Sequence, residues 1–134
     1  MNYWLVKSEP TEYSYDDLVK DGSTYWDGVR NYTARNNLKS MKVGDKVLFY
    51  HSVNEKSVVG ISKVVKEYYQ DPTTDDERWV VVDLAPVSRL KNPVTLSEIK
   101  TDPSLADIAL VRQSRLSVMS LGKTAFNRIV EMSK

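Results

Sequence analysis

Lys46-Val47-Leu48-Phe49-Tyr50-His51 is the stretch that decides the fold of this 134-residue chain. It is an apolar, β-branched and aromatic run bounded by turn-forming residues, a pattern typical of a buried strand. Val58 to Tyr69 and Trp79 to Val87 have the same character. Because these strands cluster in the middle of the chain and do not alternate with long helices, the sequence predicts a small α+β domain with a curved or barrel-like sheet.

Shorter elements are predicted on both sides of this group. Tyr3 to Val6 has the pattern of a first strand, and Leu116 to Val118 that of a last one. Capping boxes begin at Ser14 and Thr95, and Gly or Val-Gly-Asp sequences supply helix ends. The predicted helices are Tyr15 to Lys20, Asn31 or Thr33 to about Met41, Leu96 to Lys100, and one from about Lys123.

The composition is that of an ordinary globular protein, with 41% hydrophobic and 28% charged residues. The length suits one domain spanning residues 1–134. Cysteine is absent, which excludes disulfides and thiolate metal sites. The sequence shows neither a signal peptide nor a run of ~20 apolar residues that would span a membrane. We therefore expect a soluble, cytoplasmic monomer.

The charges nearly cancel, at 19 basic and 18 acidic residues, but they are unevenly distributed. A net charge of +1 excludes a protein that coats nucleic acid by bulk attraction. Gly28 to Lys66 holds eight basic residues and two acidic ones, whereas Glu67 to Glu77 holds five acidic and no basic residues. Both segments suit solvated faces. The acidic loop is also a candidate contact for a protein partner, which makes an adaptor one alternative function.

Catalytic and metal-binding patterns are sparse. His51 is the only histidine, and without a partner nearby in sequence it is more typical of a hydrogen-bonding residue than of a general base. The five glycines are isolated, which excludes a phosphate-binding loop. We expect no catalytic residue, no metal and no cofactor. The alternative is an enzyme, a hydrolase that processes nucleobases and uses His51 with Glu9 or Asp27.

Two stretches suit the recognition of a nucleobase. In Tyr25-Trp26-Asp27-Gly28-Val29-Arg30-Asn31-Tyr32, an indole lies beside polar groups, as base stacking requires, although a tryptophan can also simply fill the core. In Arg112-Gln113-Ser114-Arg115, the arginines suit phosphate oxygens and the other two side chains suit base edges. A surface loop whose arginines pair with acidic residues is the alternative for the second stretch.

Four motifs, in this order along the whole chain, resemble the EVE domain. They are Tyr3-Trp4-Leu5-Val6-Lys7-Ser8-Glu9-Pro10, Trp26 to Tyr32 with Ala34-Arg35-Asn36, Gly44-Asp45 with Phe49-Tyr50-His51-Ser52, and Arg112 to Val118. The resemblance implies a PUA-like fold, a small β-barrel of about five to six strands with short helices around it, related to YTH and ASCH domains. It also implies a non-enzymatic module that reads a modified base in DNA or RNA.

The resemblance assigns roles to individual residues. Trp26 would be a stacking wall, and Glu9 would fix an arginine. The residues that would line or close the pocket are Lys7, Ser8, Asn31, Tyr50, His51 and Ser52. Those that would hold phosphates or the base rim are Arg30, Arg112, Gln113, Ser114 and Arg115. The expected partner is therefore nucleic acid, and DNA, RNA and a free nucleotide all remain open.

Overall fold

The computed structural model describes all 134 residues and contains one six-stranded sheet. The strands are β1 (Tyr3–Ser8), β2 (Thr24–Tyr25), β3 (Lys46–His51), β4 (Ser57–Gln70), β5 (Val80–Thr95) and β6 (Val118–Leu121). Their order across the sheet is β2-β5-β4-β3-β1-β6. β1 and β3 pair in parallel, and every other neighbouring pair is antiparallel.

Five helices surround the sheet: α1 (Tyr15–Asp21), α2 (Tyr32–Ser40), α3 (Leu96–Thr101), α4 (Ala109–Arg112) and α5 (Lys123–Met132). Both predicted capping boxes are present, Ser14 with Asp17 and Thr95 with Glu98. The four predicted helices are confirmed. α4 was not predicted, because it has one turn and no side-chain cap. None of the five helices has the length and apolar character needed to cross a membrane.

The expectation of a barrel is wrong, because the sheet is open at β2 and β6. β2 has only two residues, so it offers little backbone for a closing pair. α2 packs against both β5 and β6 and so lies between the two ends of the sheet. Asn37 of α2 donates a hydrogen bond from Nδ2 to the carbonyl of Val118 at 2.8 Å. A helix therefore occupies the position where strands would have to meet.

β2 was not predicted, β1 and β4 differ from their predicted bounds by one or two residues, and β5 and β6 differ further. β5 runs beyond Val87 to Thr95 and passes through Pro86, next to a shift in its pairing register with β4. Proline is tolerated at such irregular positions because the ladder does not need its missing N–H there. β6 begins at Val118, so Leu116 and Ser117 belong to the preceding loop.

β3 carries the centre of the core, with five consecutive buried residues. The Phe49 ring meets two other rings edge to face, Tyr15 at 5.3 Å and Trp26 at 5.4 Å between centroids. Such arrangements contribute about 0.5–1.5 kcal/mol beyond the apolar area that they bury. Through Phe49, the core fixes the position of Trp26 in the loop after β2.

Asp45 is a buried carboxylate at the start of β3 and is only 3% exposed. It accepts hydrogen bonds from the backbone N–H groups of Asn2 and Lys42 and from the indole Nε1 of Trp4 at 2.9 Å. Buried charges need such partners, since each lost hydrogen bond would leave the charge uncompensated. Asp45 therefore links β1 to β3 through hydrogen bonds and forms no ion pair with a lysine or an arginine.

Gly60 on β4 makes room for the Tyr15 ring. A Cβ at this position would lie 2.5 Å from Cζ of Tyr15, well inside van der Waals contact. Tyr15 has no freedom to retreat, because it is 1% exposed and its hydroxyl donates to the carbonyl of Ile61 at 2.6 Å. The absence of a side chain at Gly60 is thus a packing requirement.

We predict that Gly60→Ala destabilises the protein by about 1–3 kcal/mol, the usual cost of overpacking a core. Denaturant unfolding followed by circular dichroism measures the change. Gly122→Ser is the matched control, because Gly122 is the N-cap of α5 with nothing within 4 Å of an added Cβ. It should be neutral or slightly stabilising, since serine is a preferred N-cap residue. Equal stability of Gly60→Ala and wild type would contradict this packing account.

Candidate functional site

A cleft of about 550 Å³ opens beside Trp26, within the ~300–1,000 Å³ typical of small-molecule sites. Its walls come from the end of β1, the turn before α1, β2 with the loop that follows it, and the loop before β6. The lining residues are Lys7, Ser8, Glu9, Glu12, Tyr13, Thr24, Tyr25, Trp26, Asp27, Gly28, Val29, Ser52, Ser114, Arg115, Leu116 and Ser117.

Two rings at right angles form an aromatic corner in this cleft. Trp26 and Tyr13 have centroids 6.3 Å apart and an interplanar angle of 84°. Trp26 is held by Phe49 behind it and by its backbone N–H, which donates to the carbonyl of Val82 at 2.9 Å. The Tyr13 hydroxyl donates to Asp21 at 2.9 Å, and burial together with Asp21 raises the pKa of Tyr13 to about 12. Both rings therefore present fixed, uncharged surfaces.

Several polar groups of the cleft are free to bind a ligand. The indole Nε1 of Trp26 makes no hydrogen bond within the protein, although Trp26 is only 8% exposed. Because no buried side-chain nitrogen or oxygen lacks a partner, this N–H reaches the surface, and Trp26 lines the cleft. The carboxylates of Glu9, Glu12 and Asp27 and the guanidinium of Arg115 also lack ion-pair partners.

Lys7 closes one end of the cleft. Its ammonium donates to the carbonyl of Ser114 at 2.9 Å, and its backbone N–H donates to the carbonyl of Ser117 at 2.9 Å. Burial lowers the pKa of this lysine. Lys7 is thus committed to the loop before β6, and the remaining charged groups of the lining are three carboxylates and Arg115.

Asp71 holds the opposite wall. Its side chain is fully buried and accepts hydrogen bonds from the backbone N–H of Gly28 at 3.2 Å and from Arg30 at 3.1 Å. Thr73 donates two more, from its backbone N–H and its hydroxyl. Burial raises the pKa of the Asp71 carboxyl, but these hydrogen bonds outweigh burial and leave the pKa below its usual range. The carboxylate therefore fastens the loop after Trp26 to the β4–β5 connection.

The acidic segment Glu67 to Glu77 is thus not simply a solvated loop. Asp71 is buried, Asp76 pairs with Arg78, and Glu67 accepts a hydrogen bond from the backbone N–H of Val43. Only Asp75 and Glu77 stay exposed without an ion-pair partner. Most of its charge has a partner inside the molecule.

The structure brings six of the predicted site residues together around the cleft, namely Lys7, Ser8, Trp26, Ser52, Ser114 and Arg115. A second depression of about 320 Å³ shares Ser114 and Arg115 with the cleft. It contains three further predicted residues, Asn31, Arg112 and Gln113. Asn31 also caps α2 by accepting from the N–H of Ala34, and Arg112 pairs with Asp107 at 2.6 Å.

Three predicted residues lie outside both depressions: Arg30, Tyr50 and His51. Arg30 pairs with Asp71, and Tyr50 is buried, with the Lys7 ammonium 5.9 Å from its ring centroid. His51 accepts the backbone N–H of Tyr15 at Nε2, 3.0 Å away, and its Nδ1 lies 3.1 Å from Glu55. This pattern fits the neutral tautomer that carries its proton on Nδ1. Both nitrogens of His51 therefore have partners inside the fold.

Sequence reasoning missed Tyr13, Glu12, Ser117 and Asp71. Tyr13 had a usable signal, because it follows the turn at Glu9-Pro10 that leads the chain away from the end of β1. Asp71 had none, because its partners Gly28 and Arg30 are 43 and 41 residues away in sequence. Only tertiary structure brings them together.

Residues 2–132 match the EVE domain family. Mouse thymocyte nuclear protein 1 is 35% identical over an alignment covering 99% of this chain and 74% of the relative. Among solved structures, Atu2648 from Agrobacterium tumefaciens superimposes with a TM-score of 0.98 at 40% identity, covering 99% of this chain and 93% of that one. Human THYN1, solved in complex with DNA containing 5-methylcytosine, has a TM-score of 0.93 at 32% identity, with 100% and 98% coverage.

We predict that Asp71→Asn lowers the free energy of unfolding at pH 7 by about 2 kcal/mol, since hydrogen bonds to charged groups contribute roughly 1.5–3 kcal/mol. A carboxyl whose native pKa is lowered stabilises the fold above its unfolded pKa of about 3.9 and loses this effect as the pH falls through the native value. The difference between wild type and variant should therefore shrink below about pH 4. Urea unfolding of both proteins at pH 7 and pH 3 measures it, and a constant difference would contradict the role of the charge.

Proposed function

The chain belongs to the EVE domain family. We propose that it is a non-catalytic module that takes one nucleobase of a nucleic acid into the cleft beside Trp26. Methylated cytosine in DNA is the ligand that we put first, since the human THYN1 protein was solved with DNA containing 5-methylcytosine. The observation that carries the proposal is the aromatic corner of Trp26 and Tyr13, with unpaired polar groups at its rim.

The corner suits a flat aromatic ligand. A base stacked on one of the two rings has its edge directed at the other, because their planes are 84° apart. Base–aromatic stacking contributes roughly 1–3 kcal/mol per base and tolerates any base, since each has a π-face. Discrimination must therefore come from the polar rim.

The rim favours a base that carries an amino group. Glu9, Glu12 and Asp27 supply carboxylate oxygens without ion-pair partners, and carboxylates accept from the N4 amino group of cytosine. The free indole N–H of Trp26 and the Arg115 guanidinium supply donors for ring nitrogens and carbonyls. The excess of carboxylates also repels phosphate, so the cleft takes the base and leaves the backbone outside.

A base inside a duplex cannot reach this cleft without leaving its stack. Extruding it costs a few kcal/mol, and a single-stranded base avoids most of that cost. Stacking and rim hydrogen bonds offset the extrusion by a similar amount. Affinity for a duplex should therefore be lower than for a single strand with the same base.

The surroundings of His51 support a binding role over hydrolysis. A general base must reach the proton that it abstracts, and both nitrogens of His51 are already engaged by Tyr15 and Glu55. The residue also lies outside the cleft lining. RNA as the ligand, a protein partner, the monomeric state and the cytoplasmic location stay predictions from the sequence.

We predict that single strands with 5-methylcytosine at one position bind more tightly than strands with cytosine or thymine there. Cytosine has the amino group without the methyl group, and thymine has the methyl group without the amino group, so the pair separates the two features. Trp26→Ala should weaken binding of 5-methylcytosine about 5- to 150-fold, the loss of roughly 1–3 kcal/mol of stacking. Fluorescence anisotropy measures the affinities for DNA and RNA strands.

Two matched variants make this experiment specific. Trp26→Phe keeps an aromatic ring but removes the indole N–H and part of the ring surface, so it should lose less affinity than Trp26→Ala. Asp27→Asn should narrow the preference for 5-methylcytosine over thymine. Glu131→Gln on α5, outside the cleft, should leave that preference unchanged. Equal binding by wild type and a folded Trp26→Ala protein would overturn the proposal. A His51-dependent mass change in the recovered bases would favour the hydrolase instead.

A further inference from the structure

We propose that a strip of aromatic and basic side chains along α2 holds the strand that flanks the base in the cleft. The proposal rests on the proposed function and adds a second contact surface to it. The strip consists of Trp79, Tyr32, Arg35, Lys39 and Tyr68, and none of these side chains lines the cleft.

Trp79 and Tyr32 form the end of the strip nearest the cleft, with ring centroids 5.3 Å apart. Arg30 and Arg78 lie 5.6 and 6.0 Å from the Trp79 ring centroid. Both arginines are already paired, with Asp71 and Asp76 respectively, so they fix the rings and leave little charge for phosphate. Tyr32 is 52% exposed and presents a ring on which a base can stack.

Arg35 and Lys39 supply the positive charge. Tyr32, Arg35 and Lys39 are spaced three and four residues apart, which places them on one face of α2. The Arg35 guanidinium lies 4.9 Å from the Tyr32 ring centroid, and the Lys39 ammonium lies 5.5 Å from that of Tyr68. Neither cation pairs with a carboxylate.

No acidic residue of the surrounding segment neutralises these cations. Between Gly28 and Lys66 the acidic residues are Asp45 and Glu55. Asp45 is buried on backbone N–H groups and Trp4, and Glu55 lies against His51. The positive charge of the strip is therefore confined to Arg35 and Lys39, beside the exposed rings of Tyr32 and Tyr68, since the exposed carboxylates of Asp75 and Glu77 lie in the loop before Trp79. Cations beside exposed aromatic rings are the combination that binds the backbone and bases of single strands.

The strip and the cleft are continuous. The Asp71 carboxylate binds both the N–H of Gly28, which lines the cleft, and Arg30, which lies over Trp79. Asn31 and Thr33, on either side of Tyr32, line the depression that shares Arg115 with the cleft. A strand whose base enters the cleft can therefore continue over Tyr32 and along α2.

Salt dependence tests this surface separately from the cleft. Each phosphate contact on a single strand adds about 0.7 to the slope of log affinity against log salt, so Arg35→Gln with Lys39→Gln should reduce the slope by about 1.4. Between 50 and 200 mM salt, the wild type should then lose about sevenfold more affinity than the double variant. The reduction in slope should be the same for strands with cytosine and with 5-methylcytosine, because the strip does not contact the selected base.

Lys100→Gln with Lys123→Gln is the control, since it removes the same charge from two exposed lysines on α3 and α5. Lys39→Gln alone, at a fully surface position, should lower the slope by about 0.7 if the double variant folds poorly. An unchanged slope in a folded variant, or an equal reduction in the control, would overturn the strip. If Trp26→Ala still weakens binding of the 5-methylcytosine strand in that case, the proposed function stands. If the wild type bound neither the cytosine strand nor the 5-methylcytosine strand, both proposals would be overturned.

Discussion

The buried carboxylate of Asp71 is the constraint on which both the cleft beside Trp26 and the strip along α2 depend. It binds Gly28, Arg30 and Thr73 at once, and so joins the loop after Trp26 to the β4–β5 connection. One consequence is the position of the cleft wall at Gly28, and the other is the placement of Arg30 over Trp79. A buried carboxylate that accepts four hydrogen bonds is costly to desolvate. It is rigid once formed, because the loss of one donor leaves the negative charge partly uncompensated. The side chain acts through its neighbours and touches no proposed ligand atom.

The near-zero net charge of the chain conceals two surfaces that differ in the sign of their charge. Acidic side chains lie at the rim of the cleft, where a base with an amino group would bind. Basic side chains without acidic partners lie along α2, where a phosphate backbone would pass. A protein that selects one base needs the first surface for discrimination and the second only for a few phosphate contacts.

The sequence predicted local structure well and long-range contacts poorly. The apolar run from Lys46 to His51 and the capping boxes at Ser14 and Thr95 identify their elements because the signal lies within a few residues. The open sheet was missed because closure depends on how α2 packs between β5 and β6. Trp26 was singled out from the polar residues beside it in sequence, and it lines the cleft, whereas the hydrogen bond that engages His51 comes from Tyr15, 36 residues away in sequence.

The three tryptophans allow one direct test of base uptake beside Trp26. Their indole N–H groups differ in environment: Trp4 donates to Asp45 in the core, Trp26 faces the cleft, and Trp79 lies in the strip. Two-dimensional ¹H–¹⁵N NMR, assigned with one Trp→Phe variant at a time, follows all three during titration with a 5-methylcytosine strand. The Trp26 resonance should shift most, the Trp79 resonance should shift when the strand extends beyond the base, and the Trp4 resonance should stay in place. A Trp26 resonance that does not move while the strand binds would contradict the uptake of a base beside Trp26.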